Sequence, residues 1–392
     1  MSIAPRRSVS ATTEFAARTS IGFAGTFFPL AVQLAFLPVW LAHAGFDAAS
    51  VGLVLGTALI VRIVAVPPLV ALSDRFSSRR LAFVSYAGIA LVLSSGLFGT
   101  SQTLMALAVI VISVAAAATI PIVDAVALGG VRRLEVRYGR MRLWGSVAFV
   151  AGTILSGWII RGAGIGAVPL LVAASLAASF VCGMMLPTIQ TQRPHGNEDW
   201  RHLLRDRVLL SGIVCGSLVV SSHATFYAFG SIHWTALTFD PTLIAWLWVV
   251  GVLAEIVLFA IVGKCYAPSS RSLLIVGAAA GIVRWGTFTL DGGPYFYILN
   301  SVLHAGTFGA AYLGMQQLIA ERVSITVHGS AQGLTQLIAG PATALLTVAS
   351  GWLYASFGGE AFLIGAATCG FALAIILYPQ RAGSGGDTID PE

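Results

Sequence analysis

Long apolar runs recur twelve times along this chain of 392 residues, and they constrain its fold more than any other feature. A helix needs roughly 20 apolar residues to cross the hydrocarbon core of a bilayer, which is about 30 Å thick. Each run is therefore a candidate membrane-spanning helix, because backbone groups in lipid must be bonded within the segment. We number them runs 1 to 12, and they lie near residues 21–42, 49–72, 81–98, 103–128, 142–160, 166–186, 208–232, 242–263, 272–290, 295–319, 329–354 and 360–379.

The composition agrees with a chain that is solvated by lipid. Hydrophobic residues make up 57% of the sequence and charged residues 10%, which leaves too little polar surface for a water-soluble globule of this length. Run 1 is too long for the apolar part of a signal peptide, so we expect it to be retained. The four cysteines show no metal or disulfide spacing. We therefore predict an all-α integral membrane protein without a metal site.

The distribution of charge predicts the orientation in the membrane. The formal net charge is +6, but the arginines fall in short loops between apolar runs, which is typical of membrane orientation and not of a nucleic-acid-binding face. With the N-terminus inside, Arg161 is the only arginine in an outer loop, whereas Asp47, Asp240, Asp291 and Glu360 all lie in outer loops. We predict that both termini are inside.

The chain divides into two halves around its one long polar stretch. We predict an N-terminal bundle of six helices over residues 1–187, an inner linker over 188–207 and a C-terminal bundle of six helices with a short tail over 208–392. The end of the linker, EDWRHLLRDR, could form a short amphipathic helix on the membrane surface or remain irregular.

A weak internal repeat relates the two halves. WLAHAGFD ends at Asp47 and WTALTFD ends at Asp240, and a charge within an apolar run follows each aspartate after fifteen residues, as Arg62 and as Glu255. Parallel repeats of six helices are one architecture of membrane transporters.

Ionisable groups inside the apolar runs are the candidate functional residues, because each charge there is costly and needs a reason. Asp124 and Arg142 flank one inner loop, and Glu255 and Arg284 flank another, so each pair could be a structural ion pair or could give up one partner to a substrate or a proton. In run 7 one helical face carries His223, Tyr227 and Trp234, and it could line a ligand site or pack against another helix. The ionisable groups in the runs are Arg62, Asp124, Arg142, His223, Glu255, Arg284 and His304.

The loop after run 2 resembles that of the major facilitator superfamily. Within SDRFSSRR, the residues Asp74, Arg75, Arg79 and Arg80 match the acidic and basic positions of the family's inner-loop gating motif, while Val70 and Ser77 stand where the motif has glycine. YGRMRLWGSVAFV from Tyr138, GVLAEIVLF from Gly251, VRWG from Val283 and LHAGTF from Leu303 resemble the phenylpropionate permease branch, which neighbours the lactose permease and nucleoside symporter branches.

This resemblance implies the major facilitator fold, with twelve transmembrane helices in two six-helix bundles. It also implies a central cavity lined by helices 1, 4, 7 and 10, and substrate movement coupled to protons. Lactose-permease-like carriers hold sugar with an acid and an arginine that match Asp124 and Arg142, and they handle the proton with groups that match Glu255, Arg284 and His304. Two positions depart from that pattern: Phe149 replaces the tryptophan that stacks on sugar, and Thr307 replaces a second acid.

We therefore expect a multi-pass proton symporter of a small organic solute in the bacterial inner membrane, monomeric, not an enzyme, and with no cofactor besides the proton. An aromatic carboxylic acid such as phenylpropionate is the predicted substrate. A sugar or nucleoside symporter, an efflux carrier of hydrophobic solutes and a non-transporting membrane sensor or assembly factor are the alternatives. Glu255 is the first candidate for the proton, with Arg284, His304 and Asp124. The predicted substrate-binding residues are Asp124, Arg142, Phe149, His223, Tyr227, Trp234 and His304.

Overall fold

The computed structural model describes residues 9–73, 78–188, 200–262, 267–324 and 326–379, and these residues are helical almost throughout. The α-helices are α1 Val9–His43, α2 Ala48–Ser73, α3 Arg79–Leu93, α4 Gln102–Leu134, α5 Tyr138–Ala163, α6 Val168–Met184, α7 Arg207–Ser221, α8 Ala224–Ala236, α9 Pro241–Ile261, α10 Ser270–Phe288, α11 Gly293–His304, α12 Ala310–Arg322, α13 His328–Phe357 and α14 Leu363–Leu377. We call α1 to α6 the first half and α7 to α14 the second half.

Nine helical segments among the described residues are long and apolar enough to cross a membrane. In that count α13 and α14 form one segment, because the 3-10 turn Gly358–Phe362 joins them. Runs 9 and 10 correspond to α10 and to the α11–α12 segment, which are not among these nine segments. The helices expose apolar side chains as a bilayer requires: Val64, Trp158 and Leu299 are between 70% and 71% exposed.

Two runs are not single regular helices. Run 7 is interrupted at Ser222 and His223, which separate α7 from α8. Run 10 contains a π-helical turn, Ala305–Gly309, between α11 and α12. Such turns are often found at functional sites. Of the predicted linker, residues 189–199 lie outside the described residues. Trp200–Leu204 forms a 3-10 turn, in the region where the sequence allows either a short amphipathic helix or irregular structure.

The repeated aspartates are helix caps. The Asp47 carboxylate accepts a hydrogen bond from the Ser50 amide at 2.7 Å at the start of α2, and the Asp240 carboxylate accepts one from the Thr242 amide at 2.8 Å at the start of α9. Such caps satisfy amide groups that the first helical turn leaves unpaired. The repeat therefore specifies two equivalent helix starts. We call the end of the bundle that holds these two caps the Gly45 end and the opposite end, which holds the α4–α5 turn, the Arg140 end.

The two halves contact closely at the Gly45 end. Helix α5 packs against α9, and α2 packs against α13. A β-carbon at Gly157 of α5 would lie 2.7 Å from the Pro241 carbonyl oxygen, and one at Gly52 of α2 would lie 2.7 Å from the Gly351 Cα. Each pair therefore approaches at a distance that only glycine permits. Arg161 adds an exposed ion pair across the halves, with its Nε 3.3 Å from the Asp240 carboxylate.

Candidate functional site

A cavity of about 320 Å³ lies between the two halves. Along α9 its lining extends from Leu247 to Phe259 in the last turn, and on α5 it begins at Arg142 in the first turns, so the cavity reaches towards the Arg140 end. Its walls are mostly apolar and aromatic. The lining residues are Phe27, Leu30, Leu34, Arg142, Ser146, Phe149, Phe226, Tyr227, Leu247, Trp248, Gly251, Val252, Glu255, Ile256, Phe259, Arg284, His304 and Phe308.

Arg142 is the cation that the first half presents to the cavity. Its guanidinium carbon lies 3.9 Å from the centre of the Phe27 ring and 5.6 Å from that of Phe23. A β-carbon at Gly145 would lie 2.9 Å from the Arg142 Nη1 and 2.8 Å from the Phe27 ring, so the glycine makes the space for this pair. Arg142 makes no ion pair with the described acidic residues within 4.0 Å, and its donors are therefore available to a ligand.

The second half contributes a chain of three ionisable groups. Glu255 Oε2 lies 3.5 Å from His304 Nε2, and Arg284 Nη1 lies 3.0 Å from His304 Nδ1. The imidazole thus stands between the carboxylate and the guanidinium. The direct pairing of Glu255 with Arg284 that the sequence suggested is replaced by this bridge.

The hydrogen bonds fix the tautomers of two histidines. An arginine only donates, so His304 Nδ1 must accept from Arg284, and its proton is on Nε2, facing Glu255. His223 Nδ1 lies 3.1 Å from the Val219 carbonyl oxygen and therefore donates, which leaves its Nε2 to accept from Arg284 Nη1 at 3.2 Å. Both histidines are neutral in this arrangement, because each turns a lone pair to the same guanidinium.

Arg284 is locked in place from several directions. It is 1% exposed, and its Nη1 also lies 3.2 Å from the Thr307 hydroxyl in the π-helical turn. The guanidinium carbon lies 4.9 Å from the centre of the Phe226 ring and 4.4 Å from that of Trp285. Its Nε is buried without a hydrogen-bond partner among the described residues. The break in run 7 and the turn in run 10 thus bring His223 and Thr307 to one buried cation.

Aromatic rings form an extended wall beside these charges. Tyr227 and Trp248 stack with their ring centres 6.1 Å apart and their planes at 19°, and Phe226 lies 4.7 Å from Trp248. The Trp248 indole donates to the Ser231 hydroxyl at 2.9 Å, which fixes its orientation. Phe149 adds a ring from the first half. A flat apolar ligand would find large, rigid contact surfaces here.

Three of the predicted substrate-binding residues do not line the cavity. The Asp124 carboxylate accepts a hydrogen bond from the Tyr138 hydroxyl at 2.9 Å, in place of the suggested pair with Arg142. His223 is fully buried behind Arg284. Trp234 is also fully buried and packs against Phe226 and Tyr297. Arg142, Phe149, Tyr227 and His304 do line the cavity, together with Glu255 and Arg284.

Only part of the predicted inner-loop gating motif can be located. Asp74 and Arg75 lie outside the described residues, while Arg79 and Arg80 form the first turn of α3 and are half-buried. The described ranges contain no cluster of three or more His, Cys, Asp or Glu side chains that could hold a metal ion.

Trp248, Phe27, Phe226 and Phe308 are cavity residues that the sequence analysis did not single out. For Trp248 a signal was present: Trp248, Gly251, Val252, Glu255 and Phe259 follow helical spacing on one face of α9. Helical spacing from Glu255 therefore predicts that Trp248 lies on the same face of α9.

Comparison with known proteins agrees with the fold. The chain is 28% identical over 354 residues to the "Probable 3-phenylpropionic acid transporter" of Escherichia coli (strain K12), covering 88% of this chain and 93% of that protein. The crystal structure of the nucleoside transporter NupG superposes with a TM-score of 0.74 at 16% identity, covering 92% of this chain and 97% of NupG.

A bacterial homologue of the human lysosomal transporter Spinster, solved in an inward-facing and unoccupied conformation, superposes with a TM-score of 0.67 at 11% identity, covering 94% of this chain and 97% of that one. The family model described as MFS_1 like family matches residues 24–364, which is most of the sequence. This chain is therefore a multi-pass membrane transporter, not an enzyme, and it belongs to the MFS_1-like family of the major facilitator superfamily.

Proposed function

We propose that this transporter moves a small aromatic carboxylic acid, of which phenylpropionate is the model, together with a proton. The observation that carries the proposal is the pairing of Arg142, a cation whose donors have no acidic partner, with the rigid aromatic wall of Tyr227 and Trp248. A guanidinium suits a carboxylate, and the flat rings suit an aryl group. The named function of the Escherichia coli relative supports the same class of substrate.

The proposal includes twelve transmembrane helices with both termini inside. The Gly45 end is then the outer face and the Arg140 end the inner face. The close contacts at Gly157 and Gly52 seal the outer side, and the cavity reaches the inner side, so the structure corresponds to an inward-facing state of an alternating-access cycle. We place the protein in the bacterial inner membrane as a monomer.

Charge balance supplies the coupling mechanism. The charged groups of the lining are the guanidinium groups of Arg142 and Arg284 and the carboxylate of Glu255, since His304 is neutral. A proton on Glu255 leaves two positive charges facing the cavity, and a bound carboxylate then restores the original net charge. Each ligand thus favours the other, and by linkage the effect is reciprocal.

The test is uptake of labelled phenylpropionate into proteoliposomes with and without an inward proton gradient. Accumulation above the external concentration with the gradient supports proton symport of an aromatic acid. Arg142→Gln is expected to weaken substrate binding by roughly tenfold or more, because it removes a charge-assisted hydrogen bond. Arg161→Gln is the matched control, since that arginine is exposed at the Gly45 end, away from the cavity.

A nucleoside carrier is the second candidate, favoured by the stacked aromatic wall, which would also accept a nucleobase. Competition of labelled phenylpropionate by unlabelled uridine, adenosine and lactose separates these substrates. If only a nucleoside or a sugar were taken up, the aromatic-acid proposal would fail. Absence of flux for every solute in a folded preparation would favour the sensor hypothesis.

A further inference from the structure

The α4–α5 turn gathers positive charge that the proposed function does not use. Arg132 and Arg133 lie in the last turn of α4, Arg137 directly precedes α5 and Arg140 lies in its first turn, and all four are exposed. Glu135 is the only acidic residue in this stretch of the sequence. No acidic side chain of the described residues lies within 4.0 Å of Arg132, Arg137 or Arg140. These three guanidinium groups are therefore open to an anion.

On α5, the positive charge lies at the end of an exposed apolar strip. Arg140, Trp144 and Val147 follow helical spacing on one face, where the tryptophan is 54% exposed and the valine 46%. Arg142 and Phe149 of the same helix line the cavity, so the strip lies on the side of α5 that faces away from it. On a membrane-spanning helix, an exposed apolar surface contacts lipid acyl chains.

Helix α4 repeats this arrangement beside α5. Leu128 is 48% exposed and lies one helical turn before Arg132, and only residues 135–137 separate the two helices. Both helices therefore place an exposed arginine one turn beyond an exposed apolar side chain. Trp144 agrees with this depth, because tryptophan is enriched where acyl chains give way to headgroups. The surface thus changes from apolar to cationic across the membrane boundary.

Other arginines at the Arg140 end already have partners. Arg322 donates to the Asp206 carboxylate at 2.8 Å, and Arg18 donates to the Glu14 carboxylate at 3.0 Å. The α4–α5 turn differs because its exposed cations lack such partners and adjoin an apolar strip. A phosphate group is a strong acceptor for guanidinium donors, and an attached acyl chain would cover the strip.

We propose that the α4–α5 turn and the strip beside it form a binding site for an anionic phospholipid. The headgroup phosphate contacts Arg132, Arg137 and Arg140, and an acyl chain runs along Trp144 and Val147. The inference goes beyond the transport of a solute, since it concerns the outer surface of the bundle. The lipid would contact the helix that presents Arg142 to the cavity, but on its opposite side.

The first experiment is native mass spectrometry of the purified full-length protein with phosphatidylglycerol or with phosphatidylcholine of the same acyl chains. We expect the anionic lipid to bind roughly tenfold more tightly, and Arg137→Gln combined with Arg140→Gln to abolish the preference. Arg205→Gln combined with Arg207→Gln is the matched control, because it removes two exposed arginines at the same end of the bundle. Equal binding of both lipids by the native protein overturns the proposal, and so does an equal loss in the two double variants.

The second experiment locates the acyl chain. Phosphatidylglycerol with a photoreactive acyl chain, irradiated in proteoliposomes, should label α5 around Trp144, and this labelling should fall in the Arg137→Gln, Arg140→Gln variant. Labelling around Trp158, which is 70% exposed near the other end of α5, reports the surrounding bilayer and should not change. Unchanged labelling around Trp144 would contradict the site. Displacement of the lipid by soluble glycerol 3-phosphate would assign the arginines to a small phosphate instead, which also overturns the proposal.

Discussion

Arg142 and Arg284 carry the same charge but differ in how far the protein uses their hydrogen-bonding capacity. Arg284 is surrounded by His223, His304 and Thr307, whereas Arg142 rests on the face of Phe27. An arginine that is already bound holds structure, and one with free donors can receive an anion. The two residues therefore suit different tasks, although the sequence presents them alike.

The proton-coupling assignment can be tested at Glu255. Glu255→Gln removes the ionisable group while keeping its size, so we expect gradient-driven accumulation of phenylpropionate to be lost and downhill exchange to continue. Asp124→Asn is the matched control, because Asp124 is hydrogen-bonded by Tyr138 and lies off the cavity. Uptake in proteoliposomes measures both. Accumulation that survives in the glutamine variant would move the proton site elsewhere, and its loss in the asparagine variant would point to Asp124.

A second test concerns the space beside Arg142. Gly145→Ala places a methyl group 2.9 Å from the Arg142 Nη1 and 2.8 Å from the Phe27 ring, so one of them must move. We expect substrate affinity to fall by about tenfold, the effect of a small overpacking strain, with little change in protein yield. Gly139→Ala is the control, since nothing lies within 4 Å of a β-carbon there. Calorimetric titration with phenylpropionate measures the change, and equal affinity in both variants would contradict it.

Among the helices, α7 depends on a charged cap. The Asp206 carboxylate accepts hydrogen bonds at 3.0 Å from the Val208 and Leu209 amides and at 2.8 Å from Arg322 at the end of α12. Burial alone would raise the pKa of Asp206, but the Leu209 amide and Arg322 outweigh it, so the pKa lies below its ordinary value. The ionised carboxylate therefore stabilises the folded state.

This shift gives a pH dependence with a definite sign. A lowered carboxyl pKa contributes stability above the unfolded value, which is about 3.9, and the contribution is lost as the pH falls through the folded pKa. Asp206→Asn keeps the cap and removes the charge, so we expect a loss of at most about 1 kcal/mol near neutral pH, because Arg322 is partly exposed. Thermal unfolding in detergent at about pH 7 and about pH 3 should show a smaller difference between variant and native protein at the lower pH. A constant difference would exclude the charge as its cause.

Some features of the fold and the site can be predicted from local sequence, and others cannot. Hydrophobic runs predict the helices, because the length of an apolar run is a local property of the sequence. Six of the predicted site residues also line one cavity: Arg142, Phe149, Tyr227, Glu255, Arg284 and His304. The break at His223 could not be predicted from local sequence, because no proline or glycine lies next to it. The His223 side chain contacts the Val219 carbonyl and Arg284, and these contacts accompany the break. Trp234 shares the helical face of Tyr227 but lies two turns closer to the Gly45 end, where Phe288 and Tyr297 cover it. Whether a residue on this helical face reaches the cavity therefore depends on tertiary packing, which local sequence does not show.

For the whole molecule, closure of the Gly45 end rests on glycine contacts more than on charge. The Arg161–Asp240 pair is exposed, and such pairs contribute little to stability. By contrast, a side chain at Gly157 would meet the backbone of Pro241 and the side chain of Ala245. The seal therefore depends on backbone approach between α5 and α9.

Gly157→Leu should consequently hold the Gly45 end open. We expect a cysteine placed at Ser146, in a background without native cysteines, to react with an impermeant thiol reagent from the Gly45 side faster than in the parent. Gly162→Leu is the control near the same helix end, because a β-carbon there meets nothing within 4 Å. Unchanged labelling in Gly157→Leu would show that the seal lies elsewhere.

Glu255, His304 and Arg284 all belong to the second half, whereas Arg142 belongs to the first. If the halves move as rigid bodies, Glu255, His304 and Arg284 move together, and the motion changes the separation between Arg142 and Glu255. The coupling between proton and substrate can then be followed by spectroscopy as a change in this one distance. Spin labels or fluorophores on α5 and α9, attached away from the lining, would report how that separation responds to protons and to substrate, and the free energy linking the two ligands would be readable from the shift in its distribution.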